Sequence, residues 1–289
     1  MKYLISFVFL SSIFFVSSKE NTFSILIEEN QVLKVIDDSE FVIIDVRSPA
    51  KYKASHIKNS INLFVDDTFS KGKRTDLVAP LSQLAKLFGH SGLTKKSKII
   101  LYDDGNFIDA ARMFWILEIF GAKNVSILNI GFQSWTLRGN PITSLSRKLP
   151  STDFIPSVSP TKVATYLSVR KVLDNEDHSL IDVRPEKEFL GIESVTGEYG
   201  HIPTAINIPF TLNLDNETSK LLSKSNLLDL YTNFDPSKPV TVYCNKGKQS
   251  ALSYFVLRYL EYDVSAYDGS WFEWGGMQNL PKWQPKVQP

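Results

Sequence analysis

Cys244 is the single cysteine of a 289-residue chain, and the six residues after it, Asn245-Lys246-Gly247-Lys248-Gln249-Ser250, are polar, cationic or glycine. This segment joins a short apolar run, Val240–Tyr243, to a stretch with helical patterning from Ser250 to Tyr262. A tight turn from a buried strand into a helix aims successive backbone N–H groups at one point, where the helix dipole also favours negative charge. Gly247 relaxes the backbone within the turn, and Lys246 and Lys248 add positive potential. Together these features favour the thiolate and make the sulfur a nucleophile. A lone cysteine at a strand end is otherwise an inert packing residue, but this loop is a poor wall for one. No histidine lies near in sequence to act as a base, and position 250 is Ser, not the Arg that would clamp a phosphate bidentately. Sulfur transfer needs neither: a thiolate attacks the outer sulfur of an anionic donor, an anion departs, and the loop N–H groups stabilise a Cys persulfide.

The elements that must hold this loop occur twice. Val42-Ile43-Ile44-Asp45-Val46-Arg47 recurs as Ser179-Leu180-Ile181-Asp182-Val183-Arg184, and His56-Ile57…Ile61-Asn62 as His201-Ile202…Ile206-Asn207. Ile99-Ile100-Leu101-Tyr102-Asp103 recurs as Val240-Thr241-Val242-Tyr243-Cys244, and Asn129–Trp135 as Asp268–Trp274. Four anchors in one order, about 140 residues apart, describe a duplicated domain and not a solenoid of short units. Brief apolar runs predict buried strands at Val42–Asp45, Ile99–Tyr102, Ser179–Asp182 and Val240–Tyr243. Amphipathic helices are expected from Ala110 to Phe120, closed by Gly121, and from Ser250 to Tyr262. Strands alternating with helices of this size argue an α/β fold with mostly parallel sheets, whose functional loops lie at the carboxyl ends of strands. The expected organisation is an N-terminal domain over residues 23–140, a proline- and serine-rich linker over 141–160, and a second domain over 161–282.

Composition narrows the function further. Lys and Arg total 32 against 31 Asp and Glu, a formal net charge of +1, which removes the electrostatic case for a nucleic-acid partner. One cysteine and four scattered histidines (His56, His90, His178, His201) offer no disulfide framework and no zinc-type spacing, so no metal is expected. Lys2, the uncharged run from Tyr3 to Val16 and the small residues Ser17-Ser18 read as a secretory signal peptide over residues 1–18. The run is too short for a comfortable membrane span. A periplasmic or secreted mature protein is expected, with no membrane attachment after cleavage.

On these residues the chain resembles the tandem-domain rhodanese family, the thiosulfate and 3-mercaptopyruvate sulfurtransferases. The resemblance covers nearly the whole mature chain and rests on the paired Asp-Val-Arg strands, the paired His-Ile…Ile-Asn segments, the Tyr243–Gly247 loop and the Tyr267-Asp268-Gly269-Ser270-Trp271…Trp274 block. It implies two rhodanese-like domains, each a mostly parallel sheet flanked by helices. It also implies a catalytically silent first copy with Asp103 at the cysteine position, and Cys244 as the persulfide carrier of the second. No cofactor is implied; the partners are a small anionic sulfur donor and a thiol or cyanide acceptor. Arg184 matches a family arginine counted with the substrate-binding loop, supported by Asp182. A second family arginine is replaced in Lys187-Glu188-Phe189, which puts the Glu188 carboxylate where the substrates usually meet a cation. Lys246 keeps the lysine of the thiosulfate type, so thiosulfate is favoured over 3-mercaptopyruvate. The other reading is a non-catalytic module that binds anions or senses oxidants through Cys244. His56 and His201, which open the same motif, are expected to be structural, as are Asp45, Trp271 and Trp274.

Overall fold

The computed structural model describes residues 24–285 apart from 73, 75, 216 and 219, so the signal peptide expected at 1–18 lies outside the described residues. Each copy builds one five-stranded sheet in which every pairing is parallel. In the first, the order is Leu26–Ile27, Asn124–Leu128, Lys98–Tyr102, Phe41–Asp45, Ile61–Asn62. In the second it is Val163–Ala164, Val264–Tyr267, Val240–Tyr243, Ser179–Asp182, Ile206–Asn207. The two orders are the same, as the repeat requires. Val42-Ile43-Ile44 and Val240–Tyr243 are buried on both faces because helices cover both sides of each sheet.

A repeated polar frame fixes the strand ends. Asp45 accepts from Arg47 N, Nε and Nη2 and from Tyr102 Oη at 2.7 Å, while Asp182 accepts from the same three groups of Arg184. Asn62 Nδ2 donates to the carbonyls of Asp45 and Arg47, and Asn207 Nδ2 to those of Asp182 and Arg184, all at 2.9 Å. These bonds satisfy carboxylates that are completely buried. They also hold Tyr102 and Tyr243, the residues immediately before Asp103 and Cys244; the Tyr243 hydroxyl accepts from Ile202 N–H at 3.1 Å.

Three boundaries differ from the sequence reading. The linker expected at 141–160 is bound to the first copy. Ile142–Thr143 pairs with His56–Ile57, Arg147 Nη1 donates to the Asn59 carbonyl, and Phe154 is buried in the core. The second copy extends past 282, since Trp283 and His201 exchange two backbone bonds of 3.0 Å. The helix expected to reach Tyr262 stops at Tyr259, and its left-handed turn is made by Glu261 at φ 69°, where no glycine signals the end.

The helices of the two loops meet each other. The Ile108–Ile119 helix buries nine of its twelve residues and Ser250–Tyr259 eight of its ten, because each packs on its own sheet and on its counterpart. The expected amphipathic pattern is therefore filled in on the outer face. Phe114 meets Phe255 edge-on at 4.9 Å, and Trp115 meets Tyr254 at 6.4 Å. Beside them Glu118 accepts from Arg258 Nη2 at 2.8 Å and Tyr254 Oη at 2.5 Å, with Lys162 Nζ at 3.3 Å. Burial pushes the Glu118 carboxyl up, but the Arg258 pairing outweighs it and holds the group below its ordinary value. A carboxyl depressed by folding stabilises the native state above its unfolded pKa, and that contribution is lost as pH falls through the lower folded value. Glu118→Gln is expected to cost about 2–3 kcal/mol in urea unfolding at pH 7. The difference from wild type should shrink as pH drops below 4.5, the carboxyl's unperturbed value. A difference independent of pH would refute the ionic account.

Candidate active site

Cys244 sits at the carboxyl end of the Val240–Tyr243 strand, 1% exposed. Its Sγ accepts from Gly247 N–H at 3.1 Å. The Cys244 N–H donates to Ser270 Oγ at 3.2 Å, and that hydroxyl gives its proton to the Tyr267 carbonyl at 2.7 Å. Ser270 Oγ therefore stands 3.9 Å from the sulfur as a wall atom with its proton committed elsewhere. The carbonyls of Cys244 and Asn245 are drawn off by Trp271 N–H and Phe272 N–H, both at 2.9 Å. With its carbonyls held outward, the loop presents N–H to the sulfur.

Gly247 has φ +78°, and a Cβ there would lie 2.6 Å from the Asp268 carbonyl oxygen and 2.7 Å from its Oδ1. Ser250 begins the following helix and bonds its Oγ to the Gly247 carbonyl at 3.2 Å. Gln249, in the helical region just before it, carries a buried Oε1 without a hydrogen-bond partner among the described residues. Asn245 Nδ2 donates to Glu188 Oε2 at 2.6 Å, with both residues buried. The carboxylate that the sequence places near the substrate is thus engaged by the loop's own amide.

The two lysines have different roles. Lys246 is exposed, with Nζ 4.9 Å from the Phe272 ring centroid. Lys248 pairs with Asp109 at 2.7 Å and Asp66 at 3.7 Å, both from the first copy. Its charge is matched there, which corrects the expectation that both lysines raise the potential at the thiol. Lys246 opens instead onto a cleft of about 480 Å³ lined by Asp66, Phe69, Ser70, Lys71, Asp76 and Lys248.

Arg184 belongs to the polar frame. It is 1% exposed, bonded to Asp182 and to the Gly200 carbonyl at 2.8 Å, and packed over the Trp271 ring at 4.9 Å. These bonds make it a frame residue. His56 and His201 stack on Tyr52 and Phe189 at 3.7 Å and place Nδ1 2.7 Å from those residues' carbonyl oxygens. Trp271 and Trp274 are fully buried.

The first copy shows what this loop does when it holds a carboxylate. Asp103 Oδ1 accepts from Gly105 and Phe107 N–H at 2.8 and 3.3 Å, and Oδ2 from Ala110 N–H at 3.2 Å. Burial, with Asp109 nearby, pushes Asp103 up to about 6, while the three N–H bonds oppose the rise. Asp104 and Asp109 look uncompensated in sequence, yet Arg47 and Lys51 pair with Asp104 and Lys248 with Asp109. Sequence reasoning also missed Arg112 and Asp268. Arg112 is set among apolar helix residues that hide its direction, whereas Asp268 opens the repeated terminal block, a signal that was available.

Two parallel-sheet copies in one strand order, with a thiol and a carboxylate at equivalent loops, define a duplicated single-thiol α/β protein. The chain belongs to the rhodanese-like domain family, whose pattern matches it twice, at residues 28–138 and 165–277. It is similar to the thiosulfate sulfurtransferase of Gallus gallus, 29% identical over 250 residues, covering 84% of this chain and 86% of that protein. The thiosulfate sulfurtransferase of Azotobacter vinelandii is likewise 29% identical, over 274 residues, 89% of this chain and 96% of that one. Among solved structures, the Escherichia coli 3-mercaptopyruvate sulfotransferase SseA superposes with a TM-score of 0.76 at 24% identity, covering 86% of this chain and 99% of that one.

Gly247→Ala is expected to destabilise the chain by about 1–3 kcal/mol, from the left-handed backbone and the overlap with Asp268. Urea unfolding measures this, and an unchanged midpoint would show that the turn tolerates a side chain.

Proposed function

We propose that this protein is a thiosulfate sulfurtransferase in which Cys244 carries the sulfur. The observation that supports the reading best is the Gly247 N–H bond to Cys244 Sγ in a loop whose carbonyls are held outward. The Cys244 thiolate attacks the outer sulfur of thiosulfate; the sulfur–sulfur bond breaks and sulfite leaves with its electron pair. The persulfide's terminal sulfur carries the negative charge, for which loop N–H groups are suited donors. Cyanide or a thiolate then attacks that sulfur, releasing thiocyanate or a new persulfide and restoring the Cys244 thiolate. No net oxidation occurs and no cofactor is needed. Lys246 and Lys71 at the cleft draw in the dianionic donor as point charges.

The test is mass spectrometry of the purified chain after thiosulfate, with 3-mercaptopyruvate in a parallel arm. One extra sulfur on Cys244 is expected with thiosulfate, and Cys244→Ser should abolish both the adduct and thiocyanate formation. Loading by 3-mercaptopyruvate alone would reassign the donor, and loading by neither would overturn the reading.

Export from the cytosol, to the periplasm or outside the cell, is part of the same proposal and is supported by Lys2 and the uncharged run to Val16. N-terminal sequencing of the native protein is expected to begin near Lys19; a cytosolic form starting at Met1 would overturn it.

A further inference from the structure

Arg112 belongs to the Ile108–Ile119 helix of the first copy, yet its side chain ends at the Cys244 loop of the second. It is fully buried. Nη1 donates to the Gly247 carbonyl at 3.0 Å, and Nη2 lies 2.7 Å from Asp268 Oδ1, an ion-pair contact without hydrogen-bond alignment. The guanidinium lies over the rings of Trp115 and Phe69, at 4.6 and 5.0 Å from their centroids. Asp268 Oδ2 in turn accepts from Val78 N–H of the first copy at 2.8 Å.

These contacts reach the two segments that enclose the thiol. The N–H of Gly247 donates to Cys244 Sγ, and its carbonyl is the group that Arg112 holds. Both flank one α-carbon at φ +78°, a residue with wide conformational freedom, so anchoring the carbonyl restricts where the N–H points. Asp268 stands two residues before Ser270, whose hydroxyl accepts from Cys244 N–H. Adhesion between the copies is already served by the apolar packing of the two helices. A buried guanidinium costs free energy to desolvate, and the one hydrogen bond this one makes goes to the loop.

We infer that Arg112 is the positioning residue of the sulfur-carrying loop. By gripping the Gly247 carbonyl and the Asp268 carboxylate together, it orients the N–H donor that holds the Cys244 thiolate and then the persulfide. The copy without a thiol supplies this part. The consequence for turnover rests on the sulfurtransferase reading; the consequence for the thiol does not.

The test uses the full chain as R112M, R112K and R112M/D268N. Iodoacetamide alkylation of Cys244, the sole thiol, reads the loop without any sulfur donor, and is followed across pH on folded protein. In R112M, alkylation at pH 7 is expected to fall about tenfold and its rate–pH midpoint to rise. Its kcat for thiosulfate should fall about 100-fold with a smaller change in KM. R112K, which keeps a cationic donor, should recover part of both. R112M/D268N buries no unpaired carboxylate, so it should regain thermal stability without regaining kcat; it also keeps the test open if R112M does not fold. A wild-type alkylation profile in R112M or the double variant would overturn the inference. So would recovery of kcat in step with stability, which would leave Arg112 as an interface residue only. If wild type loads no sulfur from any donor while the alkylation profiles still shift, the sulfurtransferase reading fails and the positioning role stands.

Discussion

The packing of the Ile108–Ile119 helix against the Ser250–Tyr259 helix is the constraint on which the site depends. It makes one apolar core of two copies: Phe88, Phe114 and Trp115 share a cluster with Tyr254, Phe255 and Val256. Each helix starts where a loop ends, so clamping the helices on both faces also clamps the loops in front of them. The same burial imposes an electrostatic demand. Any charge on these helices needs a partner across the interface, and Glu118 finds Arg258 while Arg112 finds Asp268 and the Gly247 carbonyl. The interface is therefore polar at both ends, with Arg112 beside the loops and Glu118–Arg258 at the far ends of the helices, and apolar between them.

The duplicated loops show one backbone device with two outcomes. In the first copy the cradle is filled from within: the Asp103 carboxylate takes three N–H donors from its own loop. An anionic ligand would compete with a covalently attached carboxylate for those donors. In the second copy the smaller, more polarisable sulfur takes the Gly247 N–H alone among the loop's amides. Replacing a carboxylate by a thiol exchanges a self-satisfied cradle for one able to hold charge that arrives with the substrate. The repeat retained the frame of Asp, Arg, Tyr and Asn in both copies because it holds the strand ends, whatever follows them.

Features set by local pattern were legible in the sequence. Ser179–Asp182 and Val240–Tyr243 begin and end where the apolar runs do, and Cys244 stands at the strand-to-helix turn. What was illegible depended on partners far along the chain. Lys248 reads as a loop cation until Asp109 neutralises it, and Arg112 reads as a helix residue until Gly247 is found beside it. The prolines and serines of 141–160 report turns but not the pairing of Ile142–Thr143 with His56–Ile57. Contacts over long sequence separations, not local propensities, decided each of these.

The same distinction bears on how an acidic residue beside the loop tolerates an anionic donor. Glu188 is buried, and its Oε2 is taken by Asn245 Nδ2. Its charge also acts on Arg184, which lies within reach of its field and holds a second carboxylate, Asp182. Burial by itself lowers the pKa of Arg184, yet Asp182, then Tyr243 and Glu188, raise it. Lys246 and Lys71, from opposite copies, stand at the cleft with Lys248, Asp66 and Asp76. Under the proposed sulfurtransferase function, attraction of a dianion falls to the cleft that both copies line, and stabilisation of the transferred sulfur to the loop N–H. On that reading the donor-capturing charge is free to vary without disturbing the backbone geometry around the sulfur.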